Sequence, residues 1–317
     1  MKHKYNYPTV LFGAALFSLA GSVFAADPAS CQTVSMSDVG WTDITATTAA
    51  TSVVLEGLGY KPDVKVLSVP VTYKSMETGD IDVFLGNWMP TMEGDLASYR
   101  DAGSVEVIQP ANLTGAKYTL AVNKKAADAG LKDFADIAKF KDQLNGKIYG
   151  IEPGNDGNRI ILDMIANDAV GLKGFVVVES SEQGMLSQVA RAGKRGKMVV
   201  FLGWAPHPMN AKFELTYLSG GDDFFGPKFG GADVYTNTRK GYSKDCPNMG
   251  QLLTNLQFTL AMENEIMGAI LDGGQDPKDA ATAWLKSNMG VLDGWLSGVT
   301  TLDGGNGAAA VKAKLSM

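Results

Sequence analysis

Three of the five tryptophans in this 317-residue chain share one setting. Trp41 follows Gly40, Trp88 closes Val83-Phe84-Leu85-Gly86-Asn87-Trp88, and Trp204 closes Val200-Phe201-Leu202-Gly203-Trp204. Each stands where an apolar strand pattern ends, in what reads as a loop beside Gly or Pro. The two Gly-and-Trp runs are near copies, which suggests equivalent positions in two similar sheets. Open α/β sheets bind ligands beyond the carboxyl ends of their strands, so the three indoles are expected around one cleft. A cleft walled by several rings suits two kinds of ligand. A sugar stacks on flat faces but needs many polar partners. A quaternary ammonium has no N–H to donate and spreads its charge over methyl groups, so π faces alone match it. Each ring contributes about 0.5–1 kcal/mol when exposed and about 2 or more when desolvated. Three or four rings therefore supply most of the roughly −8 kcal/mol of a micromolar complex. Trp284 and Trp295 fall on C-terminal helix patterns and are expected in the core.

Asp43, two residues after Trp41, offers a negative charge to a cation or an acceptor to a hydroxyl. Asn155 and Asp156 lie in Pro153-Gly154-Asn155-Asp156-Gly157, before a helix pattern. Spacing alone slightly favours a capping role for that turn over a ligand role. Cys31 and Cys246 are the two cysteines, expected as one disulfide in an oxidising compartment, with two unrelated buried thiols as the alternative. His207, between Pro206 and Pro208, is expected to be structural or on the surface. With His3 it completes the histidines, so neither a metal cluster nor a cofactor relay is expected.

The elements that must position these residues alternate. Strand patterns at 33–37, 64–69, 81–85 and 105–108 flank helical patterns at 42–57 and 91–99. The order then restarts, with strands at 118–122, 148–151, 175–178 and 198–202 and helices at 134–144, 158–166 and 182–192. A long helix is expected over 252–271 and another from Asp276-Pro277. Such βαβα order indicates parallel sheets covered by helices. The chain is expected to form two α/β lobes, crossing near 111 and again near 216. One lobe is discontinuous, 26–110 with 217–317, and the other is 111–216.

Charge and the first residues limit the setting. The net charge of −6 leaves no basic surplus for phosphates, which disfavours nucleic acid, and none is expected as a partner. Lys2, His3 and Lys4 precede an apolar run at 9–24, too short to span a bilayer comfortably, and Val23-Phe24-Ala25 has the small-x-small form of a cleavage site. Residues 1–25 are therefore expected to be a signal peptide. Ser22 stands where a lipidated cysteine would be needed, so no membrane anchor is expected.

These residues carry a resemblance. Gly40-Trp41-Thr42-Asp43, Phe84-Leu85-Gly86-Asn87-Trp88-Met89-Pro90, Glu152-Pro153-Gly154-Asn155-Asp156-Gly157 and Phe201-Leu202-Gly203-Trp204, with the signal segment, resemble the substrate-binding proteins of ABC importers for quaternary ammonium compounds. The chain is most similar to the periplasmic choline-binding group. The resemblance implies a two-lobed type II periplasmic binding protein fold, each lobe a mostly parallel sheet flanked by helices, with ligand in the interlobe cleft. It implies an aromatic box of Trp41, Trp88, Tyr118 and Trp204, and a hydroxyl-binding pair of Asp43 and Asn155, with Asp156 a further candidate. Tyr118 follows from the resemblance only. The Cys31–Cys246 pair fits the choline-binding members. The implied protein is a monomer in the periplasm that hands choline to permease subunits.

Two other functions compete. A glycine betaine or proline betaine site on the same fold must receive a carboxylate, and Asp43 would repel it, with no Arg or Lys inside the ligand motifs. A secreted hydrolase of choline esters would need His207 as its base, and the chain has no Gly-x-Ser-x-Gly elbow. No enzymatic activity is expected.

Overall fold

The computed structural model describes Met1, His3 and residues 26–317. Apart from Met1 and His3, the expected signal segment lies outside the described residues. The first half begins with β1 (Thr33–Asp38), α1 (Thr42–Leu58), β2 (Lys61–Val66), α2 (Val69–Thr78), β3 (Val83–Met89), α3 (Glu93–Asp101) and β4 (Val105–Val107). The second half holds β5 (Leu113–Asn123), α4 (Lys124–Asp128), β6 (Lys147–Tyr149), α5 (Asp156–Ala166), β7 (Val176–Val178), α6 (Glu182–Lys194), β8 (Val200–Ala205), α7 (Met209–Lys212) and β9 (Leu215–Tyr217). β10 (Gly231–Arg239) returns the chain to the first half, which the C-terminal helices complete.

Each half has the expected parallel set. β2, β1 and β3 pair in parallel, as do β7, β6 and β8. The halves are not separate sheets, however. β10 runs antiparallel to β3 and β5, and β5 runs antiparallel to β8, so hydrogen bonding continues through the order β2-β1-β3-β10-β5-β8-β6-β7. β5 starts at the first expected crossing. β9 still pairs with β5, and Phe224 stacks on Phe134 of the second half with ring centroids 6.3 Å apart. Residues 217–230 therefore stay packed there until β10 begins.

Several local expectations shift for identifiable reasons. The strand expected at 64–69 is Lys61–Val66, because Val69 opens α2 with Pro70 in the first turn, where its missing N–H costs nothing. The helix expected at 134–144 is a 3-10 helix, Phe134–Phe140, entered through a capping box of Asp133 and Asp136. The long helix expected at 252–271 is broken into Pro247–Asn255 and Leu260–Leu271. Between them the backbone bonds elsewhere: Phe258 N–H donates to Asn112 O, and Trp295 Nε1 donates to Gln257 O.

α1 is rich in threonine, which disfavours helix. It is sustained by burial along most of its length, and it ends cleanly where Gly59 adopts a left-handed conformation (φ 90°) and its N–H reaches Leu55 O and Glu56 O. Trp295 is fully buried as expected, but Trp284 is only half-buried and bonds Glu265 through its indole N–H at 2.6 Å. Cys31 and Cys246 form the disulfide, with Cα atoms 5.9 Å apart. It ties the start of β1 to the helix Pro247–Asn255.

Candidate functional site

The sequence places the candidate residues on both halves, and the fold brings them to one point. A cavity of about 270 Å³ is lined by Trp41, Asp43, Trp88, Tyr118, Ile151, Asn155, Asp156 and Trp204. All seven ligand-site candidates line it. Ile151 is the addition, a buried residue two positions past β6 and just before the Glu152-Pro153-Gly154 turn. Its signal was present, since it adjoins a quoted motif, but an isoleucine there reads as core.

Each ring is held by its backbone element. Trp41 is the N-cap of α1, delivered by the turn at Gly40, whose φ of 80° suits glycine. Trp88 and Trp204, expected in loops, lie instead within β3 and β8, near their carboxyl ends. Their side chains leave the sheet toward the cavity because strand residues alternate faces. Tyr118 lies within β5, directly opposite Trp204 in the antiparallel ladder. The rings meet edge to face: Trp88 and Tyr118 centroids are 6.1 Å apart at 64°, Tyr118 and Trp204 6.3 Å apart at 82°. This is the favoured aromatic arrangement. All four rings are 4–6% exposed. Such a box is desolvated, the condition under which a cation gains most from each ring.

The polar groups are arranged around the rings. Trp88 Nε1 donates to Asp43 Oδ2 at 3.1 Å, and Asp43 Oδ1 has no partner among the described residues. Tyr118 Oη donates to Asn155 Oδ1 at 2.9 Å, and Asn155 Oδ1 also accepts from Asn158 N–H at 3.1 Å. Asn155 thus caps α5 and faces the cavity at once, so the two roles weighed from its sequence coexist. Asn155 Nδ2 donates to Asp156 Oδ1, while Asp156 Oδ2 is unpartnered. Gly157 permits this approach, because a Cβ there would lie 2.0 Å from Tyr118 Oη. Trp41 Nε1 donates to Glu152 Oε1 of the other half at 2.8 Å.

Burial dominates the electrostatics. It pushes the Asp43 carboxyl up to about 8, with the charge of Glu182 adding to the rise. Burial likewise pushes Asp156 up to about 7, and raises Glu152 and the Tyr118 phenol. Two carboxyl groups that sit near neutrality favour a cation over an anion, since a positive ligand stabilises their charged forms. His207 is neither on the surface nor a free base. It is buried, its ring lies edge-on to Trp204 at 4.9 Å, and its Nδ1 accepts from Met209 N–H. That bond leaves the proton on Nε2, which donates to Glu182. Glu182 and Glu152 were not singled out from sequence. Their partners lie 140 and 111 residues away, and no local pattern marks such pairings.

The fold and the cleft define a two-lobed ligand-binding protein of the type II periplasmic class. The chain belongs to the family described as the substrate binding domain of ABC-type glycine betaine transport system (OpuAC), which it matches over residues 32–287. It is similar, at 67% identity and a TM-score of 0.90, to a solved ABC-transporter choline binding protein in complex with choline, with 91% of this chain and 100% of that one covered. A solved choline binding protein in an unliganded semi-closed conformation gives the same identity and coverage with a TM-score of 0.84. Lactococcal OpuAC, closed on glycine betaine, gives 25% identity and a TM-score of 0.75, covering 83% of this chain and 99% of its own. The chain thus superposes more closely on the solved choline complex than on the semi-closed structure. Among the described residues no helix is long and apolar enough to cross a membrane.

Proposed function

We propose that this chain captures choline in the box of Trp41, Trp88, Tyr118 and Trp204 and delivers it to the permease subunits of an ABC importer. The observation that carries this reading is a desolvated cavity in which four rings and Asp43 converge. The likeness to a choline-bound relative at 67% identity supports it. The trimethylammonium end fits the rings. The hydroxyl end fits Asp43, whose Oδ1 is unpartnered, with Asn155 as second polar partner and Asp156 as a further negative group. Choline binding here is stoichiometric capture, with no catalysis. The protein acts as a monomer in the periplasm after loss of residues 1–25. Its lobes are 26–110 with 217–317, and 111–216, with 217–230 packed against the second lobe.

Glycine betaine is the second reading, favoured by the family's description. A carboxylate in this cavity would face Asp43 and Asp156 and find no Arg or Lys in the lining. Calorimetric titration with choline, glycine betaine and proline betaine separates the two. Choline is expected to bind tightest, and a tighter betaine would overturn the assignment.

A further inference from the structure

One buried carboxylate joins the two halves beside the cavity without lining it. Glu182 opens α6 in the second half and is 1% exposed. Its Oε2 accepts from Thr42 N–H at 2.8 Å, and its Oε1 accepts from Thr42 Oγ1 at 2.6 Å and from His207 Nε2 at 3.1 Å. Thr42 is the first residue of α1, and the N-cap of that helix, Trp41, makes no side-chain cap. Glu182 therefore supplies, from the opposite half, the cap that α1 lacks, and its charge meets the positive end of that helix. The two residues flanking Thr42 are Trp41 and Asp43. On the other side His207 abuts Trp204. A single side chain thus touches the supports of three groups in the cavity wall.

The chemistry demands a carboxylate. Thr42 N–H and His207 Nε2–H are fixed donors, the latter because Met209 N–H occupies Nδ1. They approach different oxygens of Glu182, so an amide would turn its NH₂ toward one of them whichever way it faced. Other ties between the halves are weaker candidates. Lys212–Asp272 is about half exposed at both ends, and exposed pairs contribute little. Arg159–Asp95 and Trp41–Glu152 also cross, but each is a single contact that reaches at most one group of the cavity wall.

We propose that Glu182 is a positioning residue that latches the closed form, holding Trp41 and Asp43 of one half against Trp204 of the other. This rests on the reading that the cavity takes a quaternary ammonium. The two Thr42–Glu182 bonds cross between the halves, so they form on closure and not on encounter, whereas the His207 bond lies within the second half and orients the Glu182 carboxylate. Loss of the latch raises the dissociation rate and leaves the association rate in place. A residue needed only for folding would change the fraction of active protein, not the ratio of the two rates.

The test is stopped-flow tryptophan fluorescence on wild type, Glu182→Gln and Thr42→Val, with choline and with glycine betaine. Whichever ligand the wild type binds is the probe. In Glu182→Gln its dissociation rate is expected to rise about tenfold or more, with association within about twofold, as loss of charge-assisted bonds requires. Thr42→Val keeps the Glu182 charge and removes one donor, so a smaller rise in the same rate separates latching from bulk charge. If Glu182→Gln does not fold, Thr42→Val alone decides. Unchanged dissociation in the folded variants overturns the latch. If the wild type binds neither ligand, the ligand reading fails separately. The latch is then read from ligand-free scattering, where Glu182→Gln is expected to have the larger radius of gyration and equal radii overturn it.

Discussion

Trp88 donates its indole N–H to Asp43 Oδ2 at 3.1 Å, which joins a wall of the box to its acid. The bond leaves Asp43 Oδ1 as the atom available to a ligand. It also makes Trp88 do two things, since the ring faces the cation while its edge orients the acceptor for the ligand's other end.

Truncating the rings should therefore cost unequal amounts. Trp204→Ala is expected to weaken choline by at least about 1–2 kcal/mol, the range for a desolvated cation–π contact. Trp88→Ala should cost more, because Asp43 also loses its donor. Trp284→Ala removes a half-buried ring that lies outside the cavity lining, and it should leave affinity unchanged. Calorimetry on the three variants checks the order, and equal losses at all three positions would refute the division.

Acidity should separate the two ligands. The Asp43 carboxyl stands near 8 and Asp156 near 7, both pushed up by burial. Choline favours their ionised forms, so its affinity should rise from about pH 6 to about pH 9, with protons released on binding near pH 7. Glycine betaine brings a carboxylate that gains from a protonated partner, so its affinity should not rise in step. Titrations in buffers of different ionisation enthalpy measure the proton count directly. No proton release at neutral pH would mean that the acids do not meet the ligand.

Ligand-free stability should change in the opposite direction. Asp43 and Asp156 hold protons in the native state that the unfolded chain, with carboxyls near 3.8, has already released. Their contribution is complete below about pH 4 and is lost as pH rises through about 7 to 8. Thermal melts should show the ligand-free protein more stable near pH 5 than near pH 8, with the increment from choline growing over the same window. Asp43→Asn should flatten both trends.

Much of this was legible in the sequence, for local reasons. Trp41, Trp88 and Trp204 announce themselves because a strand end followed by glycine and an indole is a short pattern, and it occurs twice. The alternation of strands and helices is equally local. Tyr118 sits in the middle of an eleven-residue strand and looks like any strand tyrosine; only its register opposite Trp204 makes it a wall of the box. Glu182 and Glu152 are ordinary acids in sequence, and their meaning comes from partners in the other half. The joining of the halves into one ladder was also hidden, because β10 lies in a stretch whose partners, β3 and β5, come from both halves.

The central claim is that Asp43 selects the alcohol end of choline, and the ratio of glycine betaine to choline affinity tests it most directly. Asp43→Asn can keep its carbonyl oxygen toward Trp88 Nε1 and present an NH₂ at the site of Oδ1. Choline loses a charge-assisted hydrogen bond of roughly 1.5–3 kcal/mol, about tenfold or more in affinity. Above about pH 8, where Asp43 is ionised, glycine betaine loses a repulsion and gains a donor. The ratio measured by calorimetry in wild type and Asp43→Asn is predicted to move toward betaine by about tenfold or more. A ratio that does not move would mean that Asp43 does not touch the end at which the two ligands differ, and would contradict the assignment of choline.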